Sequence, residues 1–236
     1  MESAAKNPLT PCPSPGGRGE SVTTLTPTAS PEGQGESVRT LTPTLSLGGW
    51  GNPESCGHFF ALLGEFYEAL PEPPAIDVTF VPAESIPQPQ HDLLVHLRDM
   101  TSTLTRYYGE PIRLKVLHRH QGPQWYRRHI VLETEGSRRP IEYGAMRILL
   151  PLLSEAARLE VLAARSPLGA VLARHGLAYR HCPGGFFKIR SNRLIEQSLG
   201  LPAPQALYGR CNCMSDSVGR VVAEVVEILP PENNIV

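Results

Sequence analysis

IRLKVLHRH (112–120), QGP (121–123) and WYRRHIVLET (125–134) form the stretch whose reading decides the fold. Ile112, Leu114 and Val116 alternate with Arg113 and Lys115, the period-two pattern of a strand with one buried face. Gly122 and Pro123 turn the chain. The second run then places Tyr126, Arg128, Ile130 and Leu132 on one face and Trp125, Arg127, His129 and Glu133 on the other. A turn this short joins antiparallel strands, because parallel neighbours need a long crossover.

Working outward, EGSRRP (135–140) reads as a second turn and IEYGAMRILLPLL (141–153) as a third strand running into Pro151. SEAARLEVLAARSPLGAVLARHGL (154–177) reads as two helices broken at Ser166-Pro167, since proline cannot continue a helix. FFKIRSN (186–192) is a further strand, and NRLIEQSLGL (192–201) adds a helical turn. LYGRCNCM (207–214) and GRVVAEVVEIL (219–229) make the closing hairpin, ended by Pro230-Pro231. Upstream, Phe59, Leu62, Leu63, Phe66 and Leu70 have helical spacing, and HDLLVHLRDMTSTLTRYYG (91–109) predicts one helix stopped by Gly109. The Pro-spotted stretch between these two helices, up to Gln90, reads as a surface loop. Strands interrupted by helical pairs predict an α+β domain on a single antiparallel sheet, spanning 58–231 and followed by a short tail, 232–236.

Residues 1–53 are of another kind. Segments 7–20, 21–36 and 37–52 repeat at a period of sixteen, with Leu9/Leu25/Leu41 and Pro11/Pro27/Pro43 coinciding. Each unit offers about two aliphatic side chains, too few to offset a backbone entropy cost of ~1–2 kcal/mol per residue. The expectation is a disordered Pro/Gly-rich repeat tail. A P-x-x-P ligand for a partner is the alternative use of such a segment.

Charge is balanced, with 22 Lys and Arg against 23 Asp and Glu. This gives no field to draw nucleic acid or an anionic membrane, so no nucleic-acid partner is expected. No run of ~18 apolar residues appears, so no membrane span is expected. The N-terminus lacks the apolar core of a secretory signal. Five cysteines, two of them (Cys12 and Cys56) outside the expected core, read as reduced thiols in a cytoplasmic protein. Oligomeric state cannot be read from the sequence.

Catalytic signatures such as a P-loop, H-E-x-x-H or G-x-S-x-G are missing. Cys211 and Cys213 with His181 and Cys182 are a conceivable metal cluster but lack paired C-x-x-C spacing, so no metal is expected. His118-Arg119-His120 reads as a solvated strand end. Arg128 is different, because it falls on the apolar face of its strand. A guanidinium there costs several kcal/mol unless an anion accompanies it. Glu224 and Glu227, set among the valines of the last strand, raise the same problem for a carboxylate. Two readings follow: an Arg–Glu pair tying strands together, or a buried polar pocket for a small acid.

DMT (99–101), TLTRYYGEPI (103–112), WYRRHIVL (125–132), PIEYGAMRI (140–148), SPLGAVL (166–172), YGR (208–210) and VVEILPP (225–231) follow one another in an order that resembles the chorismate pyruvate-lyase family, over Leu93 to Pro231. The resemblance implies a chorismate lyase-like fold: a single antiparallel sheet with helices clustered outside it and an internal site beneath helical flaps. It implies removal of pyruvate from chorismate to leave 4-hydroxybenzoate, a ubiquinone precursor, without metal or organic cofactor. By position, the carboxylate-binding arginine falls on Arg128, the ligand-bordering glycine on Gly144, the flap leucine on Leu168 and the pocket methionine on Met100. The buried glutamate falls on Glu227, counted back from Pro231, or on Glu224, counted forward from Gly209. Their opposite strand parity lets only one face a pocket, and Glu227 is favoured. The implied roles are a bidentate hold on a ring carboxylate by Arg128 and a hydrogen bond from a protonated glutamate.

The departures are a very short link between the first two strands, the Arg127-Arg128 pair, and HCPGGFF (181–187) and CNCMSDSVG (211–219), which have no counterpart. A lyase, a lyase-like enzyme for another aromatic or enolpyruvyl acid, and a non-catalytic aromatic-acid sensor of the same fold all remain open. No attached helix-turn-helix is legible.

Overall fold

The hairpin built by 112–134 stands near one end of the sheet. The computed structural model describes residues 53–68 and 70–231; the tail expected at 1–53 lies outside them except for Pro53, which begins a helix, and the tail expected at 232–236 lies outside them entirely. Strands β2 (Ile112–Gln121) and β3 (Trp125–Thr134) pair antiparallel from Ile112↔Thr134 to Gln121↔Tyr126. Gly122 N–H closes the turn on the Trp125 carbonyl at 2.8 Å. β4 (Pro140–Leu149) pairs with β3 on its other side.

Seven strands form one antiparallel sheet in the order β1-β5-β6-β7-β4-β3-β2, with β1 at Asp77–Val81, β5 at Tyr179–Arg190, β6 at Ala206–Asp216 and β7 at Val221–Leu229. The α+β class expected from the pattern is the one observed. Alternation divides the side chains between two cores. On one face Val131, Tyr143, Ala145, Val226 and Ile228 pack under α1 (Pro53–Tyr67) and α6 (Arg193–Leu199). On the other, Tyr126, Ile130, Leu132, Met146 and Val225 pack under α2 (Gln90–Leu94), α3 (Met100–Tyr108), α4 (Glu155–Ala163) and α5 (Leu168–Arg174). Because β7 is covered on both sides, all nine of its residues are buried.

Three expectations are corrected. The helix expected over 91–109 is two, because the Asp99 carboxylate accepts the Ser102 N–H at 2.8 Å and starts α3 afresh. The loop before Gln90 contains β1, whose Phe80 packs edge-on against Phe60 at 5.8 Å. β5 begins at Tyr179, seven residues before the strand expected at 186. Its register shifts between Pro183 and Gly185, where Gly185 takes φ 154°. The bulge accommodates a proline that would otherwise break the ladder.

Candidate functional site

On the α2–α5 face the sheet supports a cavity of about 430 Å³ of empty space, mouth included. The first turns of α3 (Met100, Thr101, preceded by Asp99) and α5 (Leu168, Gly169, preceded by Pro167) cover it. They meet tightly: a Cβ on Gly169 would collide with the Asp99 carboxylate and lie 3.1 Å from the Tyr179 hydroxyl. Leu114, Ile130, Leu132, Met214 and Val225 supply apolar wall.

Arg128 projects into this cavity from β3 and is wholly buried. Its Nε–H donates to the Met146 sulfur at 3.1 Å, while Nη1 and Nη2 have no partner among the described residues. Burial lowers its pKa to about 10, which still leaves it cationic at neutral pH. A bare guanidinium edge against a hollow is poised to receive a planar anion through two parallel hydrogen bonds.

Glu227 also lines the cavity, but it has a cation of its own. Arg210, its cross-strand neighbour on β6, donates Nε–H to Glu227 Oε2. Arg210 Nη1 donates to the backbone carbonyls of Leu94 at 3.1 Å and His96 at 3.0 Å, pinning the end of α2 to the sheet. A strand-tying Arg–Glu pair therefore exists, with Arg210 and not Arg128 as its arginine.

Glu142 on β4 is the second cavity carboxyl. Burial, then the charge of Glu227, pushes its pKa well above the usual carboxylate range, against the opposing pull of Arg210. That shift favours its neutral acid form, and its Oε2 has no partner among the described residues. At the β5–β6 side, His181 Nδ1 and Asn212 Nδ2 lie 2.8 Å apart.

Of the residues singled out from the sequence, Arg128, Glu227, Met100 and Leu168 line this cavity, and two others do not. Glu224 points to the opposite face, where Arg147 donates to it at 2.7 Å and stacks over Trp125 at 4.7 Å. Its strand parity excludes it from the cavity. Gly144 is not a wall residue. A Cβ there would lie 3.0 Å from the Val226 carbonyl and 3.2 Å from Glu142 Oε1, so this glycine makes room for the Glu142 carboxyl. His118, Arg119 and His120 are exposed. The conceivable Cys/His cluster gives no metal arrangement: no group of three or more His, Cys, Asp or Glu fit to hold an ion occurs among the described residues. Sequence reading missed Glu142, Arg210 and Asn212, and took His181 only as a conceivable metal ligand. The first two were within reach, because Glu142 shares strand parity with Gly144, and Arg210 falls in the quoted YGR.

Fold and site define an antiparallel α+β domain with a polar cavity enclosed by helical flaps. No family model and no curated protein matches the chain. Among solved structures it is similar to PhnF from Mycobacterium smegmatis, at 11% identity and a TM-score of 0.47, covering 58% of this chain and 66% of that one. The effector domain of the same PhnF is matched over 59% of this chain and 92% of its own, at 10% identity and a TM-score of 0.47. A GntR-family transcriptional regulator from Bacillus cereus is matched over 51% and 92%, at 14% identity and a TM-score of 0.37.

Two expectations are corrected by these findings. The expected lyase and ubiquinone-biosynthesis reading is not carried further: no family model or curated protein supports it, and the solved structures found carry the descriptions effector domain and GntR-family transcriptional regulator. The expected exclusion of nucleic acid is set aside as well, a GntR-family transcriptional regulator being among the similar structures. No helix among the described residues is long and apolar enough to cross a membrane.

Proposed function

We propose that the domain is a ligand-binding module whose cavity takes a small organic acid, with the carboxylate held by Arg128. The observation that carries this reading is the buried guanidinium with two unpartnered nitrogens facing a hollow. Burying a charge costs several kcal/mol, and a protein retains such a group where an anion joins it. Glu142, as a neutral acid, adds a donor to the cavity, and Met100 and Leu168 close it from the flaps. The effector-domain role named for the PhnF fragment is the use we propose for this module: ligand occupancy is sensed and passed to a partner that acts on DNA.

The test is isothermal titration with benzoate and its para-substituted derivatives, alongside thermal unfolding. Binding is expected to raise Tm. Arg128→Met is expected to lose affinity by roughly 10- to 150-fold, the equivalent of ~1.5–3 kcal/mol for charged hydrogen bonds. The same variant is expected to raise Tm of the unliganded protein, because an apolar side chain replaces an unpaired buried charge. Unchanged affinity would remove Arg128 from the site.

A further inference from the structure

We infer that His181 and Asn212 form a second polar subsite in the same cavity, reading a hydroxyl or carboxamide at the end of the acid opposite its carboxylate. The inference rests on the binding reading above and specifies its ligand. Asn212 is almost wholly buried, at 1% exposure, and both residues line the cavity. Each satisfies the other once, through Asn212 Nδ2 and His181 Nδ1. Each then has one polar atom left without a partner among the described residues, Asn212 Oδ1 and His181 Nε2. Buried polar atoms in native proteins are nearly always paired, so two adjacent ones at a cavity wall point to something outside the chain.

The chemistry of the pair follows from its internal bond. With the amide N–H donating to Nδ1, the imidazole carries its proton on Nε2. The dyad then offers the cavity one donor, Nε2–H, beside one acceptor, Oδ1. Turning the amide over exchanges the two roles and still leaves one of each. Burial holds His181 neutral by lowering its pKa, in a setting that also contains Glu227, Arg210 and Asp99. A single donor beside a single acceptor complements a hydroxyl or a primary carboxamide. It has no complement in a methyl group.

Register fixes the direction of the ligand. Arg128↔Met146, Met146↔Val225 and Asn212↔Val225 are cross-strand partners, so Arg128 and Asn212 stand in one row, three strands apart. At ~4.8 Å per strand their backbones are separated by roughly 14 Å. Met146 and Val225 form the apolar floor between the two ends. An acid with an apolar middle and a polar far end matches that order.

The experiment is calorimetric titration of the whole chain with 4-carbamoylbenzoate, 4-hydroxybenzoate and 4-methylbenzoate. The carbamoyl or hydroxyl acid is expected to bind at least tenfold more tightly than the methyl acid. That preference is expected to collapse towards one in Asn212→Leu and in His181→Phe, each measured as a ratio within the same variant. Equal binding of all three acids by the unmodified protein would leave the dyad to ordered water and overturn the inference alone. A preference that survives in both variants would also overturn it. Should none of the acids bind, both this inference and the reading it rests on fall.

Discussion

Arg210 and Arg128 show how one residue type, three strands apart on one sheet, meets burial in two ways. Arg210 is compensated by Glu227 and by two carbonyls at the end of α2. Arg128 has a methionine sulfur. Removing Arg210 would strand the Glu227 charge and free the α2 carbonyls, so Arg210→Ala is expected to destabilise by about 3–5 kcal/mol. Arg210→Met combined with Glu227→Gln should recover much of that loss, and denaturant unfolding of the single and double variants measures the coupling. A loss under 1 kcal/mol in Arg210→Ala would mean that the pair is solvated. At this scale the sequence was legible where alternation was clean. Arg128 stood out because Tyr126, Ile130 and Leu132 share its face. The preference for Glu227 over Glu224 rested on counting back from Pro231 and not on alternation, because VVAEVVEIL is apolar on both faces of a strand buried on both sides.

Among the elements, α3 and α5 matter through their starts. Asp99 caps α3 and sits against Gly169, so the two flaps lock together through a side chain and a missing side chain. Gly169→Val has no room for its Cβ unless the flaps separate. It is expected to weaken acid binding several-fold while leaving the secondary structure unchanged, a combination that titration and far-ultraviolet circular dichroism test together. Full retention of affinity would show that the flap contact is dispensable. The break between α2 and α3 was hidden in the sequence because the apolar spacing runs on through Leu97, which the structure leaves 62% exposed. Spacing alone cannot tell a buried leucine from one that a capping aspartate has turned outward. β1 and the first half of β5 were hidden by prolines, which forbid regular ladders in general yet fit at an edge or a bulge. Asn212 and His181 were illegible for the same reason, because their pairing requires β5 to begin before its bulge.

For the molecule as a whole, the α1 face carries its own titration. His129 stacks on Phe66 at 5.0 Å and meets Tyr143 edge-on at 4.6 Å. Burial, aided slightly by His118, lowers its pKa to about 3. A histidine kept neutral in the folded state contributes stability that is complete above its unfolded pKa of ~6.5 and is lost as pH falls towards the folded value. Stability is therefore expected to fall as pH drops from ~6.5 towards about 3, at roughly 1.4 kcal/mol per pH unit at most from this residue. His129→Phe should flatten that part of the profile in thermal unfolding. An unchanged slope would assign the acid sensitivity to other groups, including His96, lowered by burial to about 4.

The sheet that separates the two cores also separates two kinds of constraint. The cavity's polar residues on β3–β7, Arg128, Glu142, His181, Asn212 and Glu227, share one face with Arg210, the partner of Glu227, while α1 and α6 pack on the other. A biosensor engineer could therefore retune ligand choice from the cavity side and harden the scaffold from the α1 side, searching two libraries that barely share a position.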